Sequence, residues 1–171
     1  MSQTTADGGI QQAGPAEEWA LARLDKDVDP LDIPDLIGLL VSDPAPRGAH
    51  ILPDSFAWSS GGFIHGGVAG VRTNVRMYPN VSRYLTKLVH AVLPQFRFST
   101  ITLFRDLMTP VHVDAHNEQG ALNAVIAVSS FGGGGIWVAG GSGSDLREVN
   151  GRPVAGRVLQ FQDTVPCKSL V

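Results

Sequence analysis

Apolar residues recur most regularly between Asn80 and Leu93. There Val81, Tyr84, Leu85, Leu88, Val89 and Val92 stand three and four residues apart and form one side of an amphipathic helix. Asn80 is placed to cap this helix and Pro94 to stop it. His90 falls on its polar side and reads as a solvated surface residue. Two shorter helical stretches precede it. Ala16–Leu24 sets Trp19, Leu21 and Leu24 partly on one side, and PDLIGLLV (34–41) opens with Pro34, whose missing N–H costs nothing at a first helical position. DVDPLDIP separates the two, and DPAPRG (43–48) ends the second. Residues 1–15 are polar, Gly-rich and unpatterned, which predicts a disordered segment ahead of one domain spanning 16–171.

Beyond the long helix the pattern changes to short β-prone runs: Ser99–Phe104, Val111–Val113, Asn123–Val128, Gly135–Val138 and Arg157–Phe161. Turn signals between them predict an antiparallel sheet, sandwich or barrel. Ile51–Gly70 is punctuated by glycines and reads as irregular strand and loop, with His65 in a structural role. GGGG (132–135) reads as a tight turn and GGSGS (140–144) as a flexible hairpin loop. Neither precedes the Lys-Ser/Thr of a phosphate loop, and no dinucleotide-binding glycine spacing occurs. The whole pattern is mostly β with flanking helices, an α+β chain.

Composition narrows this picture modestly. At 171 residues the chain has the length of one domain, and 43% hydrophobic with 17% charged residues describe an ordinary globular surface. A net charge of −3 gives no electrostatic footprint for wide nucleic-acid or membrane binding, although a few arginines can still grip a substrate locally. No apolar run approaches the roughly 20 residues of a bilayer span. The N-terminus has neither the basic nor the apolar region of a signal peptide, so the expected location is intracellular, cytoplasmic or nuclear. Cys167 is the single cysteine; it excludes an intramolecular disulfide and a Cys-based zinc site, and reads as an incidental thiol.

Candidate chemistry is concentrated in Ser99–Val138, where His112, Asp114, His116, Asn117 and Glu118 lie within seven residues. His112-Val113-Asp114 is an H-x-D at the end of a β-prone run. Alternate side chains of an extended chain share a face, so imidazole and carboxylate can converge on one ion. One N and one O donor suit Fe(II), Mn(II) or Zn(II), and a second histidine from a distant strand would complete a 2-His-1-carboxylate triad. His116 adds a local third donor only if the chain bends sharply, because alternate residues of a strand stand about 7 Å apart. His65 is a more remote source. The competing reading of HVDAHNEQG is a polar connecting loop turned by Asn117 and Gly120.

Taken together, FSTITLFRDLMTPVHVDAHN, ALNAVIAVSSFGGGGIWV and the upstream FIHGGVAGV (63–71) resemble the 2-oxoglutarate/Fe(II)-dependent dioxygenase superfamily. The likeness is greatest to the dioxygenase-like domains of dinoflagellates and other protists, and it spans roughly residues 55–161. It implies a double-stranded β-helix (jelly roll, cupin-like) with helices such as 80–93 packed outside. It also implies Fe(II) and 2-oxoglutarate as cofactors, with His112 and Asp114 as two of three iron ligands. Asn123, opening the strand after the H-x-D, and Arg105, ending the strand before it, are the expected lining residues for the cofactor. Members of the superfamily supply a late histidine and, about ten residues on, an arginine for the 2-oxoglutarate carboxylate. This sequence has no histidine after His116 and no arginine after Arg157. The expectation is therefore a domain truncated at its C-terminus, missing its last strand or strands, with impaired or absent oxidative hydroxylation of an unknown substrate. The alternative is a non-catalytic cupin-like module that holds a metal or small ligand.

Overall fold

The structure is a computed structural model that describes residues 14–44, 50–111, 122–130, 135–140 and 143–160, and the backbone of 167–169. Helix α1 (Pro15–Leu21) starts with proline at its first position and buries Ala16, Glu17 and Ala20. It is shorter than the sequence suggests: after Leu21 the chain tightens into turns in which Arg23 N–H reaches Ala20 O and Lys26 N–H reaches Arg23 O. Lys87 Nζ closes this end by donating to Leu24 O at 2.9 Å and Lys26 O at 2.5 Å. A 3-10 turn (Pro30–Asp32), capped by Asp29 through Leu31 N–H, leads into α2 (Ile33–Leu39), which buries Ile33, Leu36 and Ile37.

The longest strand arises where the sequence suggested irregular structure. β1 (His50–His65) runs 16 residues, turns on Gly66 and Gly67 and returns as β2 (Val68–Val71). Both turn glycines have positive φ, 58° and 80°, the backbone of a tight hairpin turn. The glycines inside β1 hid it, although one of them is obligatory. Gly61 has φ 119°, and a Cβ there would sit 2.2 Å from Ser99 O. Helix α3 (Thr73–Met77) follows, then α4 (Pro79–Val92) and β3 (Thr100–Met108), which pairs antiparallel with β1.

Helix α4 buries Val81, Tyr84, Leu85 and Leu88, as its periodicity predicts. Its cap differs from expectation. The helix begins at Pro79, so Asn80 is already inside it, and no side chain of its own caps the end. Two of its first-turn donors are met from 63 and 64 residues away: the buried carboxylate of Glu17 accepts from Asn80 N–H at 3.1 Å and Val81 N–H at 2.9 Å. Trp19 packs edge-on to Tyr84 with ring centres 5.0 Å apart, and Tyr84 Oη donates to Asp32 Oδ2 at 3.0 Å. Burial, with the Asp32 carboxylate beside it, pushes the Tyr84 phenol up to about 12.

These helices cover one face of the β1–β3 sheet. Phe56, Trp58 and Leu103 join Ile33, Leu36, Val81, Tyr84, Leu85 and Leu88 in one buried cluster. The remaining edge of β1 is closed by Asp43 and Asn74. Asp43 N–H donates to Ala57 O at 2.7 Å, Asp43 Oδ2 accepts from Ser59 N–H at 2.7 Å, and Asn74 Nδ2 bridges Asp43 and Ser59 O. This blunts an edge that would otherwise offer free pairing groups.

The remaining strands make two further antiparallel sheets. β4 (Asn123–Val125) is shorter than the expected run and pairs with β8 (Cys167–Ser169), so the backbone of Cys167 lies in a ladder opposite Val125. β5 (Ile136–Ala139), β6 (Asp145–Val149) and β7 (Arg152–Leu159) form a sheet in the order β5-β7-β6. β6 was not anticipated, and β7 starts five residues before the expected Arg157. Asn150 (φ 51°) and Gly151 (φ 75°) turn β6 into β7, the Asn-Gly pairing that two-residue hairpins favour. The described strands are antiparallel throughout, with helices flanking them, in agreement with the α+β expectation.

Candidate functional site

The chain leaves the large sheet at the end of β3, and the sequence places its ligand cluster directly afterwards. There the ladder is irregular. His50 lies opposite Met108 and Ile51 opposite Leu107, after which pairing resumes at Phe56 and Arg105. Four residues, Leu52–Ser55, therefore bulge against Asp106 alone. Ser55 Oγ pins the bulge by accepting Leu52 N–H at 2.7 Å and donating to Asp106 O at 2.5 Å. Asp106 has φ 48°, a left-handed backbone that aspartate tolerates better than most residues.

Arg105 does not end its strand, which continues three residues to Met108. It pairs with Phe56, its Nε donates to Asp54 O at 3.2 Å, and its guanidinium carbon lies 5.9 Å from the Phe56 ring centre. Its head group is thus engaged at the bulge. Asn123 opens β4 as expected, half-buried and opposite Ser169, in a different sheet from Arg105. His112 and Asp114 lie outside the described residues, as do His116, Asn117 and Glu118. Among the described residues, no three of His, Cys, Asp and Glu gather into a set able to hold a metal ion.

The other three histidines are well separated. His90 is exposed on α4, its ring centre 5.4 Å from that of Phe98. His65 ends β1 at the Gly66–Gly67 turn, while His50 begins it. Met108 and Thr100, the partners of His50 and Gly61, are eight residues apart, about 26 Å of strand. Four residues from Met108 to His112 span at most about 14 Å. His50 is therefore the histidine that the sheet carries to the end of β3, and His65 stands at the far end.

A concave feature lies among the helices. The turn after α1, α3 and α4 enclose an open groove of about 560 Å³, lined by Leu24, Asp25, Val75, Pro79, Ser82, Arg83, Thr86, Lys87 and His90. Helical spacing accounts for the row: Arg83, Lys87 and His90 are four and three residues apart on one side of α4. The sequence signal for it was the run of cations between Ser55 and Arg105, which a whole-chain net charge conceals.

No family model matches the chain, and no curated protein or solved structure matches it. No helix among the described residues is long and apolar enough to cross a membrane.

Proposed function

We propose that this chain is a dioxygenase-like domain of the 2-oxoglutarate/Fe(II) type, built on a double-stranded β-helix, with His112 and Asp114 as metal ligands. The observation that carries the reading is the sequence of an H-x-D four residues after the nine-residue strand β3, followed by Asn123 at the start of a strand and by GGGGIW. Antiparallel sheets with helices on one face of β1–β3 are compatible with such a fold. One imidazole and one carboxylate, two residues apart, are the donors that a borderline divalent ion accepts. When bound, iron and 2-oxoglutarate supply oxidative decarboxylation to succinate coupled to hydroxylation of a C–H bond. The protein's own part is to hold the ion through His112 and Asp114, with Arg105 and Asn123 as lining groups. Of the described histidines, His50 stands opposite Met108, four residues before His112 in the sequence, and is the candidate third ligand.

Residues 117–171 contain no histidine and residues 158–171 no arginine. Within this sequence the late ligand and the carboxylate partner of 2-oxoglutarate therefore have no counterpart, and succinate formation by these 171 residues should be near background. The same absence favours, as a second reading, a cupin-like module that binds a metal without redox chemistry. Anaerobic titration with Fe(II) or Co(II) tests the site. His112→Ala and Asp114→Ala should abolish binding, His50→Ala should weaken it, and His65→Ala should leave it unchanged. Binding untouched by His112→Ala and Asp114→Ala refutes the assignment. Robust iron-dependent succinate release refutes the impaired state, and metal binding with no 2-oxoglutarate binding selects the cupin-like module.

A further inference from the structure

We propose that the groove along α4 binds single-stranded nucleic acid. The inference is independent of the metal site and starts from how charge is distributed. Six of the 13 Lys and Arg residues, and none of the 16 Asp and Glu, lie between Ser55 and Arg105, so this segment carries +6 while the rest of the chain carries −9. That segment supplies β2, α3, α4 and most of β1 and β3, and three of its six cations, Arg76, Arg83 and Lys87, lie on α3 and α4. Arg83, Lys87 and His90 line the groove in a row about 10 Å long, by helix rise. Arg76 is exposed on α3 next to the lining residue Val75. Asp25, from the turn after α1, is the single acid among the lining residues. Lys87 Nζ donates to Leu24 O and Lys26 O at the same groove. Among the described residues the side chains of Arg76, Arg83 and Arg97 make no hydrogen bond or ion pair, so their donors are available to an anion.

Aromatic rings stand at one end of this row. Phe98 is half-buried with its ring 5.4 Å from that of His90, and Phe96 stacks on Phe98 at 6.4 Å and 14°. Arg97 is exposed between them. A cationic groove that follows a phosphate backbone, with aromatic faces for bases, is the arrangement that holds single strands with little sequence preference. The row matches about three stacked nucleotide steps at 3.4 Å each. A duplex keeps its bases inside and offers nothing to Phe98. A membrane surface calls for several apolar groups that protrude beside the cations, whereas Met77 is the one large apolar side chain exposed on α3 and α4.

The test is fluorescence anisotropy of a labelled 12-nucleotide oligothymidylate with the full chain, at about 50 to 200 mM salt and with EDTA present to remove any metal. Saturable, salt-sensitive binding is expected. The double variant Arg76→Glu/Arg83→Glu changes two exposed side chains without partners, and should weaken binding at least tenfold. It should also lower the slope of log affinity against log salt by about 1.4, or 0.7 per lost cation. Phe98→Ala should weaken binding roughly 5- to 150-fold, the equivalent of one stacked base, without changing that slope. Arg152→Glu, at the start of β7, should leave binding unchanged. The proposal is overturned by absence of binding at the lowest salt, or by an unchanged affinity and slope in the double variant. An equal loss in Arg152→Glu overturns it too, as does binding of phosphatidylserine vesicles through Arg76 and Arg83 while the oligonucleotide is ignored.

Discussion

Replacing Glu17 by alanine removes one buried carboxylate and leaves two backbone donors of another helix without partners. Glu17 is 5% exposed and Val81 fully buried, so no water replaces the lost acceptor at Val81 N–H, while half-buried Asn80 can recover part of its bond. An unmet buried donor costs about 1–3 kcal/mol. Loss of a negative charge at a helix N-terminus adds roughly 0.3–1 kcal/mol. The sum expected for Glu17→Ala is about 3 kcal/mol. Glu17→Gln keeps the volume and one acceptor oxygen but turns an NH2 toward the other donor, and should cost about 2 kcal/mol. Urea unfolding followed by circular dichroism reads both values directly. In a chain of this length the alanine variant should also melt roughly 6–12 °C lower. A change below about 0.5 kcal/mol in Glu17→Ala would show that α4 starts without help from α1, and would refute the reasoning.

Tyr84 provides a pH test. Its folded pKa is raised from 10.0 to about 12, so the folded state keeps a proton that the unfolded chain releases above pH 10. The contribution of Tyr84 to stability should be constant below pH 10 and fall by about 1.4 kcal/mol per pH unit between 10 and 12; Tyr84→Phe should remove that slope in denaturant titrations at pH 9, 10 and 11. Gly61→Ala should destabilise by roughly 3 kcal/mol or more, because its Cβ would overlap Ser99 O at a backbone φ of 119°. A variant that melts within 2 °C of the parent would refute that geometry. Asp43→Ala should open the edge of β1 and raise aggregation on heating, measured by light scattering, since Asp43 Oδ2 holds Ser59 N–H and both carboxylate oxygens accept from Asn74.

Helix α4 was legible because its apolar spacing and its burial report the same thing: Val81, Tyr84, Leu85 and Leu88 all reach the core. Its cap was not legible, since Glu17 is 63 residues from Asn80 and no local pattern links them. β1 was obscured for a related reason. Glycines at 61, 62, 66 and 67 read as loop, yet Gly61 is needed for close approach to Ser99, and only Gly66 and Gly67 make the turn. The β6–β7 hairpin did carry a local signal, Asn150-Gly151, which the neighbouring run of glycines masked. Arg105 and Asn123 were placed on strands correctly, but the bulge that engages Arg105 depends on Ser55, 51 residues from the carbonyl it bonds. The row Arg83, Lys87, His90 was legible as spacing. What made it a groove is the turn after α1 packed across α4, a tertiary contact.

The acids that touch the basic segment explain why its cations stay available. Glu17 accepts from Asn80 N–H and Val81 N–H, Asp32 from Tyr84 Oη, and Asp43 from Ser59 N–H and Asn74 Nδ2. Each carboxylate is committed to a neutral donor, and none of the three pairs with Arg72, Arg76, Arg83 or Arg97. Neutral donors at helix and strand edges need acceptors once they are shielded from water, whereas exposed guanidinium groups are solvated without a partner. Folding therefore draws these acids onto neutral backbone and side-chain donors and leaves the arginines unneutralised. A chain with a net charge of −3 can in this way present a local cationic surface, and the partner that surface selects is governed by the unpaired groups rather than by the sum.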